Sequence, residues 1–405
     1  MHKRNLYMER VKPFIDKPVV KIITGLRRVG KSYFMRQIME YLHDQGIDNQ
    51  RIIYINKESV DFDFINNYQQ LHHYLKTRTT TSPDSRSYLL IDEVQEIKGW
   101  EKCISSCQGN DTYDIYLTGS NASLLSSDLA SLLSGRYIEF PLYSLGFREF
   151  LDFMGREEAE AHNAFPLYLR YGGFPALPHF DLDTEVVYQY ISALYNTILL
   201  KDVVKRYRVR NITLLENITK YAFDNIGNIF SAKKVSDYIK SQKLSISVET
   251  VQNYLSYLCS TFALHKVQRY DIKGKRILEL HEKYYLGDIG LRHALLGYRE
   301  ADIAGMLENL VFLELKRRGY SLFIGKYGTR EIDFIATKAD EKLYIQVCYL
   351  LASEQTIERE FQPLLSIKDN YPKYVLSMDT IFGSDYDGIK RLNIVDFLLQ
   401  PIDGR

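Results

Sequence analysis

The sequence predicts an α/β chain in four parts: residues 1–145 as a parallel sheet covered on both faces, 146–210 as helices, 211–300 as a helix-turn-helix with a hairpin, and 301–405 as a smaller α/β region. Strand-like and helical patterns alternate over the first part, which argues for a parallel sheet. A glycine-rich loop separates the first strand from the first helix. Beyond Gly146 the alternation gives way to helical periodicity, broken at Tyr171-Gly172-Gly173-Phe174-Pro175.

Val19 to Ile23 is an apolar strand and Lys31 to His43 carries helical periodicity through Phe34, Ile38 and Leu42. Between them Gly25-Leu26-Arg27-Arg28-Val29-Gly30-Lys31-Ser32 spells G-x-x-x-x-G-K-S. A loop of this kind wraps the β- and γ-phosphates of a nucleotide in backbone N–H groups at a helix N-terminus. Gly25 and Gly30 let the chain approach the phosphates, Lys31 reaches their oxygens, and the Ser32 hydroxyl is placed to ligate Mg²⁺. A second apolar run, Ser87 to Ile91, ends in Asp92-Glu93. After a phosphate loop, such a pair reads as a Mg²⁺-holding acid, Asp92, followed by a water-orienting acid, Glu93.

The next strand, Asp114 to Leu117, ends in Thr118-Gly119-Ser120-Asn121, where a polar side chain can touch the γ-phosphate; Ser120 is preferred over Thr118 and Asn121. A helix is expected from Ala122 to Leu133, then Gly135-Arg136 and the strand Tyr137 to Phe140.

The runs GLRRVGKS, YLLIDEVQ, TGSNASLL, SGRYIEFPLYSLGFREFL and YGGFPAL occur in this order. In them the chain resembles the bacterial and archaeal AAA+ ATPases that carry a C-terminal domain of unknown function. The resemblance spans essentially the whole chain and implies ATP and Mg²⁺ as cofactors, Ser120 in the sensor-1 place, and Arg136 in the place of an arginine finger that serves a neighbouring subunit. Arg136 also reads as a structural ion-pair residue. Residues 146–210 become the lid of such a core. The turn before Pro175 is similar to the G-x-P turn of signalling-type P-loop ATPases, whose proline packs on adenine; an ordinary helix-breaking turn is the other reading.

Composition narrows the classes. The chain has 405 residues, 45% hydrophobic and 25% charged, with a net charge of +1, so any nucleic-acid contact must come from a local patch. The 32 tyrosines fit tyrosine-rich cores as well as base stacking. Cys103, Cys107, Cys259 and Cys348 form no zinc pattern and fit a reducing compartment. No apolar signal core follows Met1-His2-Lys3-Arg4, and no apolar run approaches the ~18 residues needed to cross a bilayer. A soluble, cytoplasmic protein is expected.

In 211–300 a winged helix-turn-helix is expected: a short helix over Ser231 to Ile239, a second from Val248 to Leu258, and a basic hairpin tip around Asp271 to Arg276. The second helix exposes Ser247, Glu249, Gln252, Asn253 and Ser256, without the arginine or lysine that reads guanine. Phosphate contacts then fall to Lys266, Arg269, Lys273, Lys275 and Arg276, or to Lys201, Lys205, Arg206, Arg208 and Arg210. A protein partner, or packing alone, is the competing reading.

In 301–405, Glu308 lies on an apolar helix stripe, Asp333 on a strand, and Gln346 and Cys348 on one face of the next strand. This layout resembles the PD-(D/E)-x-K nuclease fold with Gln346 in the place of its Glu and Cys348 in the place of its Lys. An amide is a weaker Mg²⁺ ligand than a carboxylate, and a thiol carries no ammonium charge. An inactive nuclease-like domain is therefore expected, unless a lysine such as Lys326 or Lys342 has taken over. The function expected for the whole is a Mg²⁺-dependent ATPase that switches conformation on a DNA or protein partner, with homo-oligomers and no membrane. An ATP-gated nuclease and a slowly hydrolysing signalling scaffold are the alternatives.

Overall fold

The computed structural model describes residues 2–78, 86–109, 112–125, 133, 135–380 and 385–400. The chain forms two compact units, Met1–Leu142 with Ser260–Phe262, and Tyr143–Cys259 with Ala263–Arg405.

The first unit holds a five-stranded sheet of β1 (Val20–Thr24), β2 (Ile52–Asn56), β3 (Ser87–Asp92), β4 (Tyr113–Gly119) and β5 (Tyr137–Pro141), in the order β2-β3-β4-β1-β5. Every pairing is parallel. Helices α1 (Asn5–Val11), α2 (Lys31–Asp44), α3 (Tyr68–Arg78) and α4 (Trp100–Gly109) accompany it. Strands buried on both faces read as continuous apolar runs, and Ile22, Ile55, Leu89, Ile91 and Leu117 meet in one core with Trp100 and Ile104 of α4. Lys21 and Asp114 are charged exceptions. Lys21 is fully buried on β1 and held by Asp114 of β4, which also accepts from the Tyr116 hydroxyl at 2.7 Å. Because the strands are parallel, the ends of β1, β3 and β4 deliver the glycine loop, Asp92-Glu93 and Thr118-Gly119-Ser120 to one edge of the sheet. Of the helix expected over Ala122–Leu133, the described part is a 3₁₀ turn, Ala122–Leu125; residues 126–132 lie outside the described residues.

The second unit begins with α5 (Phe147–Phe153), α6 (Ala161–Tyr171) and α7 (Thr184–Thr197), the last continuing as a π-helix over Ile198–Lys205. Next come α8 (Ile212–Asp224), β6 (Ile229–Phe230), α9 (Ala232–Ser241), α10 (Val248–Ser260) and the strands β7 (Leu264–Asp271) and β8 (Arg276–Leu286). The chain then runs through α11 (Ile289–Leu296), α12 (Ile303–Arg317), β9 (Ser321–Tyr327), β10 (Arg330–Lys338), β11 (Glu341–Val347), α13 (Glu354–Leu365), β12 (Lys373–Ser377), β13 (Asp385–Tyr386), β14 (Ile389–Asn393) and α14 (Ile394–Leu399).

The hairpin β7–β8 does not stand apart from 301–405. Arg269 to Asp271 of β7 pair in parallel with Ile324 to Lys326 of β9, so the hairpin joins one nine-stranded sheet, β13-β14-β12-β11-β10-β9-β7-β8-β6. Pairing satisfies an edge that would otherwise expose a row of backbone donors and acceptors. The helical segment after residue 145 is bonded in as well. Asp288, at the start of α11, accepts from the Gly173 amide at 2.8 Å, and a Cβ on Gly172 would lie 2.1 Å from its Oδ1. Arg317 of α12 donates to the Ser144 and Leu145 carbonyls at 3.1 and 3.2 Å.

Candidate functional site

The glycine loop follows β1 directly. A Cβ on Gly25, whose φ is +148°, would lie 2.2 Å from the Leu142 carbonyl oxygen, so the chain passes there only without a side chain. Leu26 and Val29 turn into the core, and Gly30 caps α2, leaving the first amides of that helix facing the loop. The Lys31 ammonium curls over this loop, donating to the Gly25 and Leu26 carbonyls at 3.0 and 3.1 Å. These are neutral acceptors that phosphate oxygens can outcompete.

Asp92 ends β3, and Glu93 follows in a left-handed conformation with φ +55°. Thr118 of β4 fixes both. Its hydroxyl donates to Asp92 Oδ1 and accepts from the Glu93 amide at 2.9 Å, while the Tyr54 hydroxyl donates to Asp92 Oδ2 at 3.3 Å. Glu93 Oε2 accepts from Gln95 Nε2 and from the Ser120 hydroxyl at 3.0 Å, and Oε1 lies 3.7 Å from the Lys31 ammonium. Burial alone would raise the Glu93 carboxyl; the Lys31 charge, with Gln95, Arg27 and Ser120, outweighs it and holds the group below its ordinary value. Glu93 is therefore an anion parked against the loop lysine. Ser120, expected toward the γ-phosphate, spends its proton on Glu93. Neither Thr118 as the holder of Asp92 nor Gln95 as a second donor to Glu93 was anticipated from sequence.

Arg136 precedes β5, whose Tyr137 pairs with Val20 at the start of β1. The loop leaves the other end of β1, about 16 Å away for five residues at ~3.3 Å each. Arg136 thus stands at the opposite end of the sheet from the loop of its own chain. Pro175 lies in the second unit, after the turn tied to Asp288.

The donor set fits a magnesium nucleotide. Mg²⁺ keeps several waters and takes one or two carboxylates beside phosphate oxygens, and Ser32 with Asp92 could supply that share. Among the described residues no group of three or more His, Cys, Asp or Glu could hold a metal by itself.

In the second unit the sequence-predicted acids gather around a lysine that sequence reading did not select. Lys283 of β8 is 3% exposed and lies 2.9 Å from Glu308 of α12 and 2.8 and 3.4 Å from Glu331 and Asp333 of β10. Tyr285, two residues on and on the same face, donates to Glu308 at 2.6 Å. Burial would lower the Lys283 ammonium, but Glu308, Asp333 and Glu331 raise it well above the ordinary lysine range. Burial raises the Glu308 carboxyl to about 7 against the pull of Lys283.

Gln346 does not face the cation. It accepts from the Asp333 amide at 3.2 Å and donates to Glu360 at 3.0 Å. Cys348 packs with Ile332, Phe361 and Leu364, and burial pushes its thiol up to about 12. Lys342 is near Asp369 and the rings of Tyr344 and Tyr371. The lysine that reaches the acids is Lys283, from the hairpin.

The sequence matches an AAA domain over residues 17–151 and a domain of unknown function (DUF8612) over residues 162–302. An uncharacterized protein of Haemophilus influenzae is 37% identical over 402 residues, 99% of each chain. One of Methanocaldococcus jannaschii is 32% identical over 362 residues, covering 85% of this chain and 77% of the relative. Among solved structures a Walker-type ATPase of Pyrococcus abyssi is similar with a TM-score of 0.51 at 14% identity, covering 73% of this chain and 96% of that one. At that identity the likeness is one of fold. No helix among the described residues is long and apolar enough to cross a membrane.

Proposed function

The chain belongs to an AAA+ ATPase family, shared with the Haemophilus influenzae relative, and on that premise we propose that it hydrolyses ATP with Mg²⁺ at the edge of the first unit's sheet. The observation that carries the reading is the meeting of Lys31, Asp92 and Glu93 at the ends of β1 and β3, with Glu93 3.7 Å from Lys31. Bound Mg²⁺ would draw charge from the phosphate oxygens during transfer. The chain's own part is to bind and position. The loop amides and Lys31 take the β- and γ-phosphates, and Ser32 and Asp92 hold the metal. When Lys31 turns to phosphate, Glu93 loses that partner and keeps Ser120 and Gln95, a carboxylate placed to orient water. Arg136 serves the site of a second copy, because it stands a full strand length from its own loop.

Both Glu93 oxygens are engaged in this state, which favours slow basal turnover and a partner that raises it. The partner is DNA or another protein, engaged by the second unit responding as one body. Catalytic cleavage of DNA by the Glu308/Asp333 site is the weaker reading: Lys283 does bring an ammonium to the acids, but it is ion-paired to Glu308, Glu331 and Asp333, while Gln346 is spent on Glu360 and Cys348 on the apolar core. Steady-state ATP hydrolysis with and without DNA, run beside Lys31→Ala, tests the proposal. Turnover that is absent from wild type under every condition, or retained by Lys31→Ala, contradicts it.

A further inference from the structure

Residues 198–243 carry ten Lys or Arg against four Asp or Glu, a net charge of +6 in a chain whose total is +1. Of the acids there, Asp202 is buried, Asp224 is engaged by Arg292 and Arg299, Glu216 is half-buried, and Asp237 stands exposed on α9. The charge is most ordered on α9. Ser231 caps this helix, accepting from the Lys234 amide at 3.2 Å, and Val235, Ser236 and Ile239 form its buried side. Its outer side presents Lys233, Lys234, Asp237 and Lys240, with Lys243 just beyond the helix, all exposed, so the face carries four cations against one carboxylate, and none of the four lysines is in an ion pair with a described residue. Tyr238 stands among them, 46% exposed, its ring 4.8 Å from that of Tyr221.

The neighbouring elements offer less. The exposed positions Glu249, Gln252, Asn253 and Ser256 of α10 include no cation. On the hairpin, Lys266 is held by Glu282 at 2.8 Å, Lys273 lies 4.6 Å over the Tyr327 ring, and of the exposed tip residues Lys275 and Arg276 the latter pairs across from Asp271.

We propose that the outer face of α9, with Lys233, Lys234, Lys240 and Lys243, binds the phosphate backbone of double-stranded DNA without reading its sequence. This names the partner left open by the proposed function and rests on that reading only for its purpose. Six or seven residues separate the lysine pair from Lys240, about 10 Å along the helix axis, or about three phosphate steps of one strand. Lysines act as point charges, so they position the protein on phosphates rather than discriminate bases. A bilayer is a poorer fit, because a membrane-surface helix inserts an apolar face and that of α9 is spent on the protein core.

The test is fluorescence anisotropy with the full chain, using a labelled 25-base-pair duplex of arbitrary sequence, its single strand, and vesicles with 30% phosphatidylserine, from 50 to 200 mM salt. Wild type is expected to bind the duplex with a log–log salt slope of about −3 to −4 for four neutralised phosphates, losing about 100-fold in affinity over this range. Replacing all four lysines by Gln should flatten the slope by about that amount and weaken binding equally across sequences, while basal ATP turnover stays unchanged. Unchanged affinity and slope in that variant, an equal loss in Gln252→Ala with Asn253→Ala, or vesicle binding as tight as duplex binding would each overturn the proposal. So would tighter binding of the single strand that disappears in Tyr238→Ala, which would assign the face to stacked bases. Because turnover is read on the same variants, loss of the DNA surface and loss of the ATPase reading are separate results.

Discussion

Lys31 and Lys283 are both buried and both lie beside carboxylates, yet their surroundings differ in kind. Lys31 leans on two neutral carbonyls of its own loop and keeps one carboxylate at 3.7 Å. Lys283 has three carboxylates within 3.4 Å, contributed by α12 and β10 to a lysine on β8. The first arrangement is one a phosphate can displace, since the lysine leaves neutral carbonyls and a carboxylate that keeps two other donors. The second cannot release its lysine without stripping the buried Asp333 and Glu308 carboxyls of their ammonium partner. A lysine beside acids is thus a site of exchange in one unit and a fastening between elements in the other.

The sharpest way to break this comparison is to remove each ammonium. Lys283→Met should destabilise the second unit by about 3–5 kcal/mol, the usual result of stripping one partner from a buried ion pair. Lys31→Met should cost the nucleotide-free protein about 1 kcal/mol or less, while abolishing ATP binding. Urea unfolding together with a nucleotide-binding titration measures both. Equal stability losses would erase the distinction.

The comparison also separates the two sites in chemistry. Neither single- nor double-stranded DNA should be cleaved above background with Mg²⁺ or Mn²⁺, with or without ATP. Gel assays on wild type and on Gln346→Glu with Cys348→Lys check this. Cleavage by wild type that disappears in Asp333→Ala would make Lys283 a companion of catalysis instead of a fastening.

Arg136→Ala should lower turnover by about 10³-fold, as for other arginine fingers, without changing nucleotide affinity. Wild-type activity per protomer should rise with protein concentration. Strict proportionality in a protein shown to be monomeric with ATP would remove the second copy from the mechanism.

A smaller effect concerns pH. Glu308 holds its proton to about pH 7 in the fold, whereas the unfolded chain gives it up near the ordinary value of 4.5. The native state therefore binds the extra proton, and stability should fall as pH rises from 4.5 to 7. Glu308→Gln should flatten that part of the thermal-melt profile, and an unchanged profile would place the proton elsewhere.

What could be read from the sequence follows from locality. The loop Gly25–Ser32 and its flanking strand and helix are contiguous, so spacing alone describes them. Asp92 and Glu93 stand out because they close an apolar run. Thr118 and Gln95 carry no such mark: their importance comes from β4 lying beside β3, which only strand order reveals. Lys283 is further out of reach. It sits on a hairpin that sequence patterning groups with the helices before it, and parallel pairing of β7 with β9 brings that hairpin beside Glu308 and Asp333. Alternation does mark Lys283 as inward-facing with Tyr285, and a lysine at such a position is the one local signal of a buried anion nearby.

The claim on which the account depends is that Glu93 is the carboxylate that activates water in the first unit. Single-turnover hydrolysis by Glu93→Gln, with ATP affinity measured in parallel, tests it most directly. The amide preserves shape and removes charge, so ATP should bind within a few-fold of wild type and remain bound, with hydrolysis slowed by about 100-fold or more. Hydrolysis at the wild-type rate would contradict the assignment.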